Sequence, residues 1–189
     1  MDNKNTDCQK VDSSKVYDDW GPYKQLIRDK QANIAQLIEK GGVLYFDLDL
    51  LDAIDLYLIP FIIDSKYGFI NKKAEIVTEP IYDKVQGSFL TEENYVAVKK
   101  DGKWSAINSK GKELLPFDYS HIFTSPDSSL AICDKSGKSV IDLNTLNVVV
   151  ERGTYDIIDT FRYGYARVKK NEKYGIINAQ GKLVLDTKI

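Results

Sequence analysis

Histidine is almost missing from this chain: His121 is the single one in 189 residues. Cysteine is nearly as scarce, with Cys8 in a polar N-terminal stretch and Cys133 far away in an apolar run. Two unrelated cysteines make no disulfide framework, and without a second Cys or His pair no zinc spacing exists. We therefore expect no metal and no cofactor. No apolar run reaches transmembrane length, and residues 1–19 lack the apolar core of a signal peptide. The chain reads as soluble as written, either cytoplasmic or exported with its signal absent from this sequence. An excess of positive charge is also missing. Twenty-six basic residues face 28 acidic ones, a net charge of −2, so the basic footprint of a nucleic-acid or anionic-membrane partner is absent. Neither nucleic acid nor membrane insertion is expected. Phosphate-binding glycine loops, dinucleotide fingerprints and nucleophile elbows do not occur either.

What is present is a foldable, tyrosine-rich composition. Hydrophobic residues make up 43% and charged residues 29%, with 12 Tyr against 7 Phe and 2 Trp. Tyrosine suits half-buried sheet faces, so the excess points first to β structure and second to a binding surface. Residues 1–19 are polar and read as a flexible tail. Gly21-Pro22 then opens an amphipathic helix, because proline is at no disadvantage in the first turn. Tyr23, Leu26, Ile27, Ile34, Leu37 and Ile38 recur at helical spacing to form one apolar face, and Gly41-Gly42 supplies the stop. Residues 20–60 are expected to cap one end of the β-rich remainder of the chain. Within them Val43–Phe46 reads as a buried strand. Leu50–Leu58 fits a short helix or a second strand.

From residue 61 to 189 the chain repeats itself. Four short segments end in Asn or Asp: Tyr67-Gly68-Phe69-Ile70-Asn71, Trp104-Ser105-Ala106-Ile107-Asn108, Lys138-Ser139-Val140-Ile141-Asp142 and Tyr174-Gly175-Ile176-Ile177-Asn178. Their last residues are 37, 34 and 36 apart, a period typical of repeat architectures. A strand-like run precedes each one across a tight turn, as at Asp101-Gly102, where the reversed-hand hairpin turn favours such residues. Another turn and an apolar run come after each segment. Tyr82, Tyr119 and Tyr155 then recur at a corner. The expected fold is mainly β: four tandem antiparallel β-meander repeats of about 35 residues, each covering its neighbour, behind an N-terminal amphipathic helix. Phe89 and Phe161, in the links between units, are expected to pack between neighbours. Four such units fit either an open, curved array or a closed, propeller-like ring.

These segments resemble the WG (KWG) β-repeat family of bacterial proteins. The resemblance lies in Lys66-Tyr67-Gly68, Pro80-Ile81-Tyr82-Asp83, Lys103-Trp104, Tyr155-Asp156 and Lys173-Tyr174-Gly175, and it covers about two-thirds of the chain. Ser105 replaces the glycine in the second copy, and Lys138-Ser139 carries neither aromatic nor glycine in the third. The resemblance implies β modules with no catalytic residues to transfer. Tyr67, Gly68, Trp104, Tyr174 and Gly175 are accordingly structural anchors of the repeat.

One tempting motif remains. Asp47 and Asp49 follow an apolar strand, as do the aspartates of haloacid-dehalogenase-type phosphotransferases. That chemistry needs an alternating α/β scaffold, which a β array does not provide. Asp47, Asp49, Asp52 and Asp55 are read instead as turn or helix caps facing solvent. His121 varies to Lys84 and Ile157 in other copies, so packing or surface exposure explains it. Lys99-Lys100 and Lys169-Lys170 are expected to protect exposed strand edges. No catalytic residue is assigned, and the protein is expected not to be an enzyme. The expected function is a non-enzymatic interaction module presenting a repeated β surface to another protein. The alternative is a cell-surface glycan or wall-polymer binder, with Tyr82, Tyr119 and Tyr155 as the candidate ligand contacts.

Overall fold

The computed structural model describes residues 21–44 and 56–186. The polar tail, Asp47, Asp49, Asp52 and Asp55 lie outside the described residues. Among the described residues, helix α1 (Gly21–Glu39) precedes fifteen strands arranged as four antiparallel sheets. Sheet 1 contains β1 (Val43–Leu44), β2 (Ile59–Ile63), β3 (Lys66–Ile70) and β4 (Ile76–Tyr82). Sheet 2 contains β5 (Lys84–Gln86), β6 (Tyr95–Lys100) and β7 (Lys103–Asn108). Residues 113–119 take the fourth-strand position there through bridges from Ile107 to Glu113 and from Trp104 to Tyr119. Sheet 3 is β8 (His121–Thr124), β9 (Leu130–Asp134), β10 (Lys138–Asp142) and β11 (Val148–Val150). Sheet 4 is β12 (Ile157–Ile158), β13 (Tyr165–Lys170), β14 (Lys173–Asn178) and β15 (Leu183–Asp186).

Each unit thus has four strand positions where the sequence suggested three and a corner. The extra strand follows the tyrosine corner and is only two to four residues long in sheets 2 to 4, too short to show a period of its own. In sheet 1 that place is taken by Val43–Leu44, which pairs with Phe61 and Ile62. Part of the expected capping region therefore completes the first sheet.

Strand alternation gives every sheet two faces, and the sheets stack so that both faces of sheets 1 to 3 and the inner face of sheet 4 are covered. One face of β6 and β7 (Val96, Val98, Ile107) meets Leu58, Phe69, Tyr82 and Phe89. Their other face (Ala97, Trp104, Ala106) meets Ile122, Ala131, Cys133 and Ile141 of sheet 3. Leu130, Ile132 and Val140 in turn meet Ile158, Phe161, Ala166, Val168 and Ile177 of sheet 4. The remaining face of sheet 1, with Ile59, Phe61 and Ile70, packs on Ile34 and Leu37 of α1. The helix stands where a preceding sheet would stand. Its end is a Schellman motif, with Gly42 N–H donating to Leu37 O at 2.8 Å, Gly41 N–H to Ile38 O at 2.9 Å, and Gly41 at φ +76°. Ile38, counted on the apolar face by its spacing, is exposed instead.

Local chemistry explains why the repeat closes as it does. The anchor Asn is an Asx turn: Asn108 Oδ1 accepts the N–H groups of Lys110 and Lys112 at 3.1 and 3.0 Å. Asn71 and Asn178 do the same in sheets 1 and 4. The β2–β3, β6–β7 and β13–β14 hairpins close through two residues at positive φ, as in a type I′ turn. At the last of these the pair is Asn171 (φ 48°) and Glu172 (φ 67°). Glutamate is strained by the left-handed backbone there, whereas glycine is not. Glu172→Gly should therefore raise stability by about 0.5–1 kcal/mol. The loss of its exposed ion pair with Lys169 offsets only a few tenths of that. A higher urea midpoint at unchanged m-value is the expected readout.

Candidate functional site

The repeat residues singled out from sequence are distributed through the interfaces between sheets. Tyr82 lies in the core between sheets 1 and 2, Tyr119 in that between sheets 2 and 3, and Tyr155 against that between sheets 3 and 4. Tyr82 and Tyr119 are buried and Tyr155 half-buried, so no shared groove joins them. Burial, with the charge of Glu113 adding to it, pushes the Tyr82 phenol up to about 12. Burial of Tyr82 and Tyr119 takes away the shared exposed face that motivated glycan binding.

The residue after each corner tyrosine stitches one sheet to the next. Asp83 N–H donates to Lys99 O at 2.7 Å, and its carboxylate accepts the Asp101 N–H at 2.8 Å and the Lys66 ammonium. That bond to Lys66, together with the backbone N–H, holds Asp83 below the usual carboxylate range. Asp156 repeats the arrangement on Lys169 O and the Asn171 N–H. In the second corner Ser120 substitutes, donating both its N–H and its hydroxyl to Asp134 O.

The anchors also resolve into packing roles. A Cβ on Gly68 would lie 2.6 Å from Thr78 O, and one on Gly175 would lie 2.8 Å from Leu183 Cδ1. Ser105 is tolerated at the equivalent position because its hydroxyl donates to Leu115 O at 2.5 Å. Trp104 is only 6% exposed and stacks on His121, with ring centroids 5.9 Å apart. His121, exposed on its other side, stacks in turn on Phe123 at 5.8 Å, in keeping with the packing or surface role expected of it. Tyr67 is half-buried beside the sheet 1–2 core. Cys133 is enclosed, and burial pushes its thiol up to about 12, far from a reactive thiolate. Among the described residues no group of three His, Cys, Asp or Glu could hold a metal, and no helix is long and apolar enough to cross a membrane.

The lysine pairs do not guard edges. Lys99-Lys100 and Lys169-Lys170 end β6 and β13, which have neighbours on both sides. Lys100 lies over the Phe117 ring at 5.8 Å, and Lys169 over Tyr174 at 5.5 Å.

Tyr174 departs from the buried pattern, and it marks the candidate site. Register places Tyr165 opposite Asn178, Arg167 opposite Ile176, and Lys169 opposite Tyr174, with Leu185 opposite Ile176 on the other side. This is the face of sheet 4 directed away from sheet 3. The corresponding faces of sheets 1, 2 and 3 are each covered by the next sheet. Here Tyr165 is 54% exposed, Tyr174 41% and Leu185 50%. Arg167 lies over the Tyr174 ring at 5.4 Å while its Nε donates to Asp159 at 2.8 Å. At one rim Tyr163, 91% exposed, is held at φ 51°, and its N–H donates to Asp127 at 2.7 Å. A bulky residue with left-handed backbone is uncommon, and this one presents its ring to solvent. Sequence periodicity identified Tyr174 as a repeat anchor.

Sheet-by-sheet stacking of near-equivalent four-stranded units defines a tandem β-repeat protein. Two segments, residues 67–104 and 141–174, match the model of the WG containing repeat, the family its anchors resemble. Each matched segment runs from the third strand of one sheet to the third strand of the next, out of phase with the sheets themselves. Among solved structures the chain is similar to Kluyveromyces lactis Hsv2 with loop 6CD replaced by a Gly-Ser linker. Identity is 14% over 68% of this chain and 47% of that chain, with a TM-score of 0.41. It is also similar to the N-terminal domain of Nup159 (12% identity, 70% of this chain and 42% of that chain, TM-score 0.43). A third similar structure is BamB from Moraxella catarrhalis (12% identity, 70% and 46%, TM-score 0.37). The chain spans less than half the length of each of these. No curated protein matches it.

Proposed function

We propose that this protein is a non-enzymatic interaction module that binds another protein through the outward face of sheet 4. The observation carrying this reading is the pairing of equivalent faces. A surface that is interior in sheets 1 to 3 is exposed in sheet 4 and bears Tyr165, Tyr174, Leu185 and Arg167. Tyrosine and arginine are the residue types that dominate interface hot spots. Arg167 and Lys169 are each paired with a carboxylate, Asp159 and Glu172, so the apolar surface of the tyrosines and Leu185 is what the face offers a partner.

Affinity capture from the source cell, with wild type compared against Tyr165→Ala/Tyr174→Ala, tests the reading. A specific protein should be retained by the wild type and lost by the variant, since truncating a hot-spot tyrosine costs about 2 kcal/mol or more of binding. Both side chains are exposed enough for folding stability to change by no more than about 0.5–1 kcal/mol. Lys110→Ala, on an exposed turn of sheet 2, should retain the partner. Equal capture by wild type and the double variant would remove the reading.

A further inference from the structure

The third copy is the one whose anchor lacks the aromatic. Lys138 sits four residues before Asp142 and opposite Asp134, the register that Trp104 occupies before Asn108 and opposite Lys99. In the second interface the Trp104 indole fills the space between sheets and rests on His121. The third interface instead contains a groove of about 520 Å³ with Lys138 in its wall. That volume falls within the range of ligand pockets, about 300–1,000 Å³. Its apolar lining is Phe123, Ile132 and Ile158, which belong to the sheet 3–4 core. Arg162, Arg167, Thr160 and Asp159 line it from the sheet 4 side. Asp159 is engaged by Arg167. Lys138 and Arg162 have no acidic partner among the described residues. With Arg167 and Asp159 neutralising each other, the groove carries two uncompensated cations, Lys138 and Arg162, beside its apolar lining.

We infer that this groove binds a short acidic peptide segment, with carboxylates on Lys138 and Arg162 and an apolar side chain against the half-buried Phe123. Uncompensated cations beside a half-exposed aromatic ring favour a ligand that brings both negative charge and apolar surface. Arg162 offers a carboxylate two parallel donors, whereas Lys138 acts as a point charge. The inference rests on the protein-binding reading above and gives the partner segment its chemistry and its place. Replacement of the repeat aromatic by lysine, which looks like decay of the third copy, is what opens the site.

The test is fluorescence anisotropy of the full chain with a fluorescein-labelled hexapeptide alternating glutamate and leucine. Saturable binding is expected, weakened tenfold or more when glutamine replaces glutamate in the peptide. Lys138→Trp should restore the filled interface of the second copy and weaken binding at least tenfold. Arg162→Glu, at an exposed position, should do the same while leaving the thermal midpoint near wild type. That variant keeps the test decisive if the tryptophan does not pack. Absence of saturable binding, equal affinity for the glutamine peptide, or wild-type affinity in folded Arg162→Glu would overturn the inference. Tyr165→Ala/Tyr174→Ala separates the two proposals. A groove that fails to bind while capture still depends on these tyrosines overturns the groove alone. Capture indifferent to them overturns the sheet-face reading.

Discussion

Phe89→Ala is expected to lower stability by about 3–5 kcal/mol, the usual cost of emptying a phenylalanine-sized site in a packed interior. Phe89 is fully buried and meets Phe69 edge to face, with ring centroids 5.4 Å apart. Its carbonyl accepts the Tyr57 N–H at 2.6 Å, and Leu58 bridges to it across the sheets. The side chain therefore joins sheet 1 to sheet 2, and no strand hydrogen bond can replace it. Phe161 holds the equivalent place between sheets 3 and 4 and is also fully buried. Because each sheet touches only its neighbours, the two losses should act locally. Hydrogen exchange should accelerate first around sheets 1 and 2 in Phe89→Ala, and around sheet 4 in Phe161→Ala. Uniform acceleration along the chain would show that the stack unfolds as one unit.

Gly111→Ala should cost about 2–5 kcal/mol from two sources. Gly111 adopts φ +74°, a conformation that costs an alanine about 1–2 kcal/mol. Its new Cβ would lie 2.5 Å from Thr78 Cγ2 and 3.1 Å from Val77 O, on the outer strand of the preceding sheet. Relieving such overlap typically costs about 1–3 kcal/mol. Gly102→Ala supplies the control, since Gly102 has φ +81° but no atom within 4 Å of where a Cβ would stand. Gly102→Ala should show the backbone part alone, and the difference in urea midpoint isolates the contact. Gly181 repeats the contact against Val149 O at 2.5 Å. In the first copy the same turn position is Ala74, φ 60°, buried with Ile34 and Leu37. There the softer neighbour is α1, which accommodates the methyl group that a strand does not.

Sequence reading went furthest where a local rule acts on neighbouring residues. Asp101-Gly102 announces a hairpin and Asn108 a turn because both conformations are decided within four residues. The helix end at Gly41-Gly42 was legible for the same reason. Phe89 and Phe161 were expected between units, and they are there. The short first strands of sheets 2 to 4 were missed. Ile157–Ile158 forms only because β13 offers it a ladder, and two residues have no periodicity to detect. The lysine pairs were misplaced because edge or interior position depends on which strands flank them, a property of the assembled sheet. The corner tyrosines were ambiguous for a related reason. An aromatic that recurs every 35 residues or so suits a repeated core as well as a repeated binding groove.

Backbone preference and short-range patterning are enough to specify the repeat, its period, its turns, the N-terminal helix and the WG-type anchors. Which faces meet is settled only when the sheets assemble. A strand's alternation defines two faces but does not say which will be covered, since that depends on residues tens of positions away. Stacking buries Tyr82 and Trp104 and leaves Tyr165 and Tyr174 exposed, although all four belong to one repeating pattern. It also turns the missing aromatic of the third copy into the groove at Lys138, because a side chain absent from an interface leaves volume only once both walls are in place.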